Sequence, residues 1–107
     1  MKQISPPELA AWLADAGRAK PVLLDVREPW EFDRARIEGA QLVPMAEVPE
    51  RLGEIDAGKP VVAICHHGGR SMQVALFLEK AGYKNVHNLA GGVDAWSRTV
   101  DPAVPLY

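Results

Sequence analysis

Pro60-Val61-Val62-Ala63-Ile64-Cys65-His66-His67-Gly68-Gly69-Arg70-Ser71-Met72 is the stretch on which the reading of the fold turns. Val61 to Ile64 is apolar throughout and rich in β-branched residues. A continuous run predicts a strand covered on both faces, as in a parallel sheet, whereas alternation would predict one wet face. Six residues of loop follow in this reading. Met72, Ala75, Leu76 and Leu78-Glu79 then open an amphipathic helix that runs to about Ala81 and stops at Gly82. A buried strand, a short glycine-bearing loop and a helix form the repeating unit of an α/β domain.

The same alternation extends in both directions. Upstream, Ser5 and Glu8 make a capping box with Pro6 at the first helical position. Leu9, Trp12, Leu13 and Ala16 then share one helical face, and Gly17 ends the element. Gln3-Ile4 has room only for a very short edge strand. Val22 to Val26 is a second buried strand, Pro29 to Arg34 a helical turn, and Gln41 to Val43 a small strand closed by Pro44. Residues 46–55 predict a helix interrupted near its start by Pro49. Downstream, Val86 to Leu89 is a last strand, Gly91-Gly92 a turn, and Val93 to Arg98 a helix carrying Trp96. The tail from about residue 101 reads as extended. Strands and helices alternating in this way predict a mainly parallel sheet with helices on both faces.

Composition narrows the function classes. The chain has 107 residues, which suits one domain spanning 1–107. Its 48% apolar and 24% charged content is ordinary globular usage. Twelve basic residues against 14 acidic ones leave a net charge of −2 with no basic stripe, which argues against nucleic acid or an anionic membrane as partner. The longest apolar run falls far short of the roughly 20 residues of a membrane helix. No signal-peptide pattern opens the chain. Cys65 is the only cysteine. An unpaired thiol suits a reducing compartment, so a cytoplasmic location is expected.

Only the loop from Cys65 to Ser71 looks chemically committed. It leaves the carboxyl end of a buried strand, where open α/β sheets bind ligands. A tight loop there can turn successive backbone N–H groups inward, and the helix that follows adds its positive end. Gly68 and Gly69 make that curvature cheap. A sulfur at the mouth of such a cradle sits in a positive field that favours its nucleophilic form. Arg70 is expected to hold an anionic substrate and support the sulfur's charge, and His66 and His67 offer extra donors or cations. Two plainer readings compete. A lone cysteine at a strand end is often just a small buried hydrophobe. Cysteine and histidine also ligate zinc, but adjacent residues cannot all point at one tetrahedral ion and only His87 remains elsewhere, so no metal site is expected.

With these motifs in place, the chain resembles the single-domain rhodaneses, the thiosulfate and persulfide sulfurtransferases. Leu24-Asp25-Val26-Arg27-Glu28-Pro29-Trp30-Glu31-Phe32 is similar to the family's first signature, and Arg36-Ile37-Glu38-Gly39-Ala40 through Pro44 to its second. The Cys65–Ser71 loop matches the active-site element, and Leu89-Ala90-Gly91-Gly92-Val93-Asp94-Ala95-Trp96 the closing signature. Arg36 stands where the family often has histidine. The resemblance implies a three-layer rhodanese-like fold with four to five strands. It implies Cys65 as the nucleophile that takes up a sulfane sulfur, and Arg70 as the residue orienting the donor. His66, His67, Gly68, Gly69 and Ser71 are, by the same resemblance, expected to bind the donor. It further implies a small-molecule donor, thiosulfate or a persulfide, and a thiol or cyanide acceptor, the thiol being small or protein-borne. No cofactor is implied, because the carrier is the protein's own sulfur. Asp25, Arg27 and Glu28 read as scaffold, with Arg27 paired to an acidic neighbour. Trp30 and Phe32 read as pocket rim or aromatic packing, and Trp12 and Trp96 as core.

Two rival functions follow from the same loop. Cysteine-based phosphatases and arsenate reductases also set a cysteine and an arginine around an anion, with five residues between them. Here only His66, His67, Gly68 and Gly69 intervene. The smaller ring suits one sulfur better than a tetrahedral phosphate. The other rival is a non-enzymatic or relay module, against which the presence of both Cys65 and Arg70 counts.

Overall fold

Pro21 and Pro60 each deliver the chain into an apolar run, and the two runs lie side by side. Val22 to Asp25 pairs in parallel with Val61 to Ile64, residue for residue, and the Val22 N–H donates to the Pro60 carbonyl at 2.8 Å. Around this pair the computed structural model, which describes residues 1–107, builds a single sheet. Its strands are β1 (Lys2–Ile4), β2 (Val22–Asp25), β3 (Gln41–Leu42), β4 (Val61–Ile64) and β5 (Val86–Leu89). Their spatial order is β1-β5-β4-β2-β3, with every neighbouring pair parallel. The expected parallel α/β architecture is thus present with five strands, one short strand at each edge.

Four helices complete the fold: α1 (Pro6–Ala14), α2 (Pro29–Arg34), α3 (Gly69–Lys80) and α4 (Gly92–Thr99). The capping box expected at Ser5 forms in both directions, Glu8 N–H to Ser5 Oγ and Ser5 N–H to Glu8 Oε1. Strand alternation then sorts the sheet side chains into two layers. Leu24, Val26, Val61, Ala63 and Cys65 face Val74, Ala75 and Leu78 of α3. Leu23, Val62, Ile64 and Leu89 face Leu9 and Trp12 of α1 and Val93 and Trp96 of α4. Both tryptophans are buried, as their helical spacing predicts. No helix is long and apolar enough to cross a membrane.

Two expectations need correction. Residues 46–55 do not form an α-helix; the chain makes 3-10 turns at Met45–Glu47 and Leu52–Glu54. Pro49 has no N–H to continue an α-helical ladder, and Val48 N–H closes instead onto Met45 O, three residues back. The helix after β4 begins earlier than its apolar pattern suggests, at Gly69 rather than about Met72. Gly68 takes φ 105°, a left-handed setting that resets the chain direction, and Met72 N–H donates to Gly68 O at 3.2 Å. The loop is therefore four residues long, and Gly69, Arg70 and Ser71 belong to the first turn of α3.

Candidate functional site

The sheet order places the site. From β2 the chain steps outward to β3, and from β4 it steps the other way to β5. The crevice beyond the carboxyl ends of β2 and β4 is where such a reversal leaves room for a ligand. Cys65 follows β4 into that crevice, Asp25 ends β2, and Arg27 and Glu31 follow it.

Cys65 is buried, and its sulfur has two polar neighbours. The Gly68 N–H donates to Sγ at 3.0 Å, and Ser71 Oγ lies 3.2 Å away. The loop is shaped by the groups that hold its carbonyls. Val93 N–H takes Cys65 O at 2.9 Å and Asp94 N–H takes His66 O at 3.1 Å, so the opening turn of α4 draws both carbonyls away from the sulfur. Asn88 Nδ2 holds the Gly68 carbonyl at 3.1 Å and also reaches Gln3 Oε1 at 3.0 Å. That donor pattern orients the amide so that Oδ1 accepts the Ser71 hydroxyl. Ser71 has one proton, so it serves Asn88 while the sulfur is a thiol and can turn to the sulfur when it is an anion. Gly92 seats the turn: a Cβ there would lie 2.3 Å from Cys65 O and 2.4 Å from His66 O.

Arg70 does not stand free at the rim. Its Nη1 and Nη2 donate to the two carboxylate oxygens of Glu31 at 2.7 and 2.9 Å, a planar fork-to-fork pair. The Glu31 carboxylate also accepts the Glu28 N–H at 3.0 Å and the Tyr107 hydroxyl at 2.9 Å. Above all the Arg70 hydrogen bonds hold the Glu31 carboxyl down at about 2, against the pull of its own burial, and Glu31 in turn raises the Arg70 guanidinium above its ordinary range. Arg27, fully buried, donates to both oxygens of Asp25, to the Ala35 and Glu31 carbonyls, and to Tyr107 Oη at 2.6 Å. Burial works against the Arg27 charge, but the bonds to Asp25 and Tyr107 outweigh it and raise its pKa. Arg27 is thus paired with an acidic neighbour, as expected from the sequence.

Aromatic rings close the mouth. His66 stacks on His67 with centroids 4.0 Å apart and, on its other side, on Tyr107, also at 4.0 Å. Burial, with the neighbouring His67 charge adding to it, pushes the His66 imidazole below its ordinary pKa. Burial likewise pushes the Tyr107 phenol up to about 12. Trp30 meets the Tyr107 ring edge-on and is 62% exposed, a rim residue rather than core. The tail from residue 101 is packed: Val104 is buried, and its carbonyl accepts the Ser97 hydroxyl. His66, His67 and Asp94 each bring one ligand-type atom within 4.8 Å of the others. The two imidazoles are only 11° from parallel, so their in-plane lone pairs cannot meet on one ion without a ring rotating. Asp94 is already bonded to Arg98 at 3.0 Å.

The structure therefore brings Cys65, Gly68 and Ser71 into direct contact and places His66, His67, Gly69 and Arg70 around them. Glu31, Asn88 and Tyr107 were not singled out by sequence. An asparagine inside the strand run Val86-His87-Asn88-Leu89 is a usable signal, since a polar side chain buried there needs partners. Nothing local marks Glu31 beyond its place in a helix-capping pattern, or Tyr107 at all. The fold's two open cavities, about 220 and 330 Å³, are lined by residues outside 65–71.

A rhodanese-like domain model matches residues 5–99. The chain is 39% identical over 89 residues to the rhodanese-like/PpiC domain-containing protein 12, chloroplastic, of Arabidopsis thaliana, and covers 30% of that protein with 79% of its own length. It is 36% identical over 104 residues to a sulfurtransferase of Allochromatium vinosum, covering 97% of this chain and 95% of that protein. Among solved structures, a rhodanese-like domain protein from Staphylococcus aureus superposes with a TM-score of 0.83 at 31% identity, covering 100% of this chain and 99% of that one.

Proposed function

Since the chain belongs to the rhodanese-like domain family, we propose that it is a sulfurtransferase whose Cys65 carries the transferred sulfur as a persulfide. The observation that supports this most directly is the Gly68 N–H held 3.0 Å from the Cys65 sulfur. A main-chain donor aimed at Sγ, beside the first turn of the 12-residue α3, favours negative charge on that atom. The same donor favours the charge of a persulfide.

The proposed reaction has two displacements. In the first, the Cys65 thiolate attacks the outer sulfur of the donor. With thiosulfate, a sulfur–sulfur bond forms to Sγ, the bond to the sulfonate sulfur breaks, and sulfite leaves with the electron pair. With an organic persulfide, the leaving group is the thiolate. In the second step an acceptor thiolate or cyanide attacks the terminal sulfur of the Cys65 persulfide and restores the Cys65 thiolate. The chain supplies the nucleophile, the Gly68 amide and the Ser71 hydroxyl, which can follow the charge from thiol to anion. His66, His67, Gly69 and Arg70 form the surroundings that the donor meets. The cytoplasm, which keeps thiols reduced, suits a nucleophile of this kind.

Intact-mass measurement tests the proposal. Protein incubated with thiosulfate or cysteine persulfide is expected to gain one sulfur atom, to lose it on adding excess thiol, and to gain nothing as Cys65→Ser. Absence of an adduct with both donors, in protein whose Cys65 alkylates normally, overturns it.

A further inference from the structure

Resting on that sulfur-transfer reading, we propose that Glu31 is a specificity-determining residue: by engaging Arg70 it withholds that charge from a sulfonate and tunes the site toward small organic persulfides over thiosulfate. Arg70 spends its fork on Glu31, with both Nη groups committed to the two carboxylate oxygens. The negative partner is the fixed one. The Glu31 side chain is 5% exposed and that of Arg70 39%. Two further donors, the Glu28 amide and the Tyr107 hydroxyl, pin the carboxylate in place. Drawing Arg70 away toward a substrate anion would strand a buried carboxylate, which is strongly unfavourable.

No other side-chain cation makes up the difference. Arg27 is saturated by Asp25, Tyr107 and two carbonyls. His67 has Asp94 4.0 Å away. His66 is sandwiched between two rings and partly desolvated. Both guanidiniums at the mouth thus have a carboxylate partner, and the donors that remain for an incoming charge are the two imidazoles and main-chain amides.

The two donor classes ask different things of such a mouth. Thiosulfate brings a dianion whose sulfonate oxygens need donors before and after sulfite departs. A small persulfide, R–S–S⁻, leaves as a thiolate with one charge fewer at the reacting end, and its carbon needs an apolar wall. His66, Tyr107 and Trp30 form a continuous row of rings that starts at the residue after Cys65, with Trp30 well exposed, and offers such a wall. Glu31 acts through Arg70 and touches no substrate, so it is a positioning residue.

Single-turnover loading of Cys65, followed by acid quench and intact mass, tests this with thiosulfate and cysteine persulfide as the two probes. In the wild-type protein the half-saturating concentration for thiosulfate is expected to exceed that for cysteine persulfide by about tenfold or more. Glu31→Gln keeps the shape and most hydrogen bonds but removes the charge. It is expected to lower the thiosulfate half-saturating concentration by about tenfold while changing persulfide loading by less than about threefold. A merely structural role would move both donors together. The proposal is overturned if Glu31→Gln depresses both donors equally or leaves their ratio unchanged. Should that variant not fold, the wild-type comparison decides alone: a thiosulfate half-saturating concentration equal to or below that for cysteine persulfide overturns the proposal. If wild-type Cys65 accepts sulfur from neither probe, it is the sulfurtransferase reading itself that has failed.

Discussion

Replacing Gly92 with alanine puts the geometry of the Cys65 loop to its most direct test. The added Cβ would lie 2.3 Å from Cys65 O, 2.4 Å from His66 O and 2.5 Å from the His66 carbonyl carbon, all main-chain atoms that no rotamer change can move. Relief requires α4 and the loop to part. That movement breaks the two bonds joining them, Val93 N–H to Cys65 O and Asp94 N–H to His66 O. Each such bond is worth about 1 kcal/mol net. Gly92 also has φ +62°, where an L-residue costs a further 1 kcal/mol or so. The expected loss is therefore about 3 kcal/mol, a large share of the roughly 5–15 kcal/mol that holds a domain together. For a chain of this length that corresponds to a fall in Tm of about 15 °C. At a temperature where the variant is still folded, Cys65 loading should also drop, because the Gly68 amide moves with the loop. Gly69→Ala is the control. A Cβ there meets nothing within 4 Å, and the residue is helical, so thermal stability should hold or rise by up to about 1 kcal/mol. Thermal unfolding of both variants decides the matter. A Gly92→Ala midpoint within a few degrees of wild type, or equal losses at the two positions, refutes the claim that α4 clamps the loop.

Two further outcomes concern the charges beside the site. Arg27→Met leaves Asp25 buried without its partner and should cost about 3–5 kcal/mol by chemical denaturation; a loss under about 1 kcal/mol would show that the pair does not brace the sheet edge. Acid should weaken the fold through Glu31. Its carboxyl is held at about 2 when folded and titrates near 4.5 when unfolded, so the unfolded chain binds more protons between those values. The stabilisation is complete above about pH 4.5 and is lost as pH falls toward 2, a change on the order of 2–3 kcal/mol. Glu31→Gln should flatten that part of the stability-against-pH curve, and an unaltered curve would remove the assignment.

Much of this architecture is legible before any coordinates. Val61 to Ile64 and Val22 to Leu24 announce themselves because a strand buried on both faces is apolar at nearly every position, and three or four consecutive apolar residues after a proline leave few alternatives. The Ser5–Glu8 box is legible for a different reason: its physics is local, complete within four residues. Residues 46–55 fail the same treatment because hydrophobic spacing is satisfied equally by an α-helix and by two tighter turns, and Pro49 decides between them. The start of α3 is hidden because Gly69, Arg70 and Ser71 carry no apolar periodicity; the left-handed Gly68 sets the boundary. At the site, the loop chemistry can be read from seven consecutive residues. Its partners cannot. Glu31 lies 39 positions from Arg70 and Tyr107 lies 80 from Arg27, and no property of either residue encodes a contact that only the closed sheet creates.

The bond from Asn88 to both Gln3 and Gly68 ties the reactive loop to the outermost strand of the sheet across 85 positions of chain. Asn88 leaves the ribosome after Cys65, and the α4 turn whose amides hold the Cys65 and His66 carbonyls follows it. A growing polypeptide therefore exposes its thiol before the residues that shape the surrounding loop have been made.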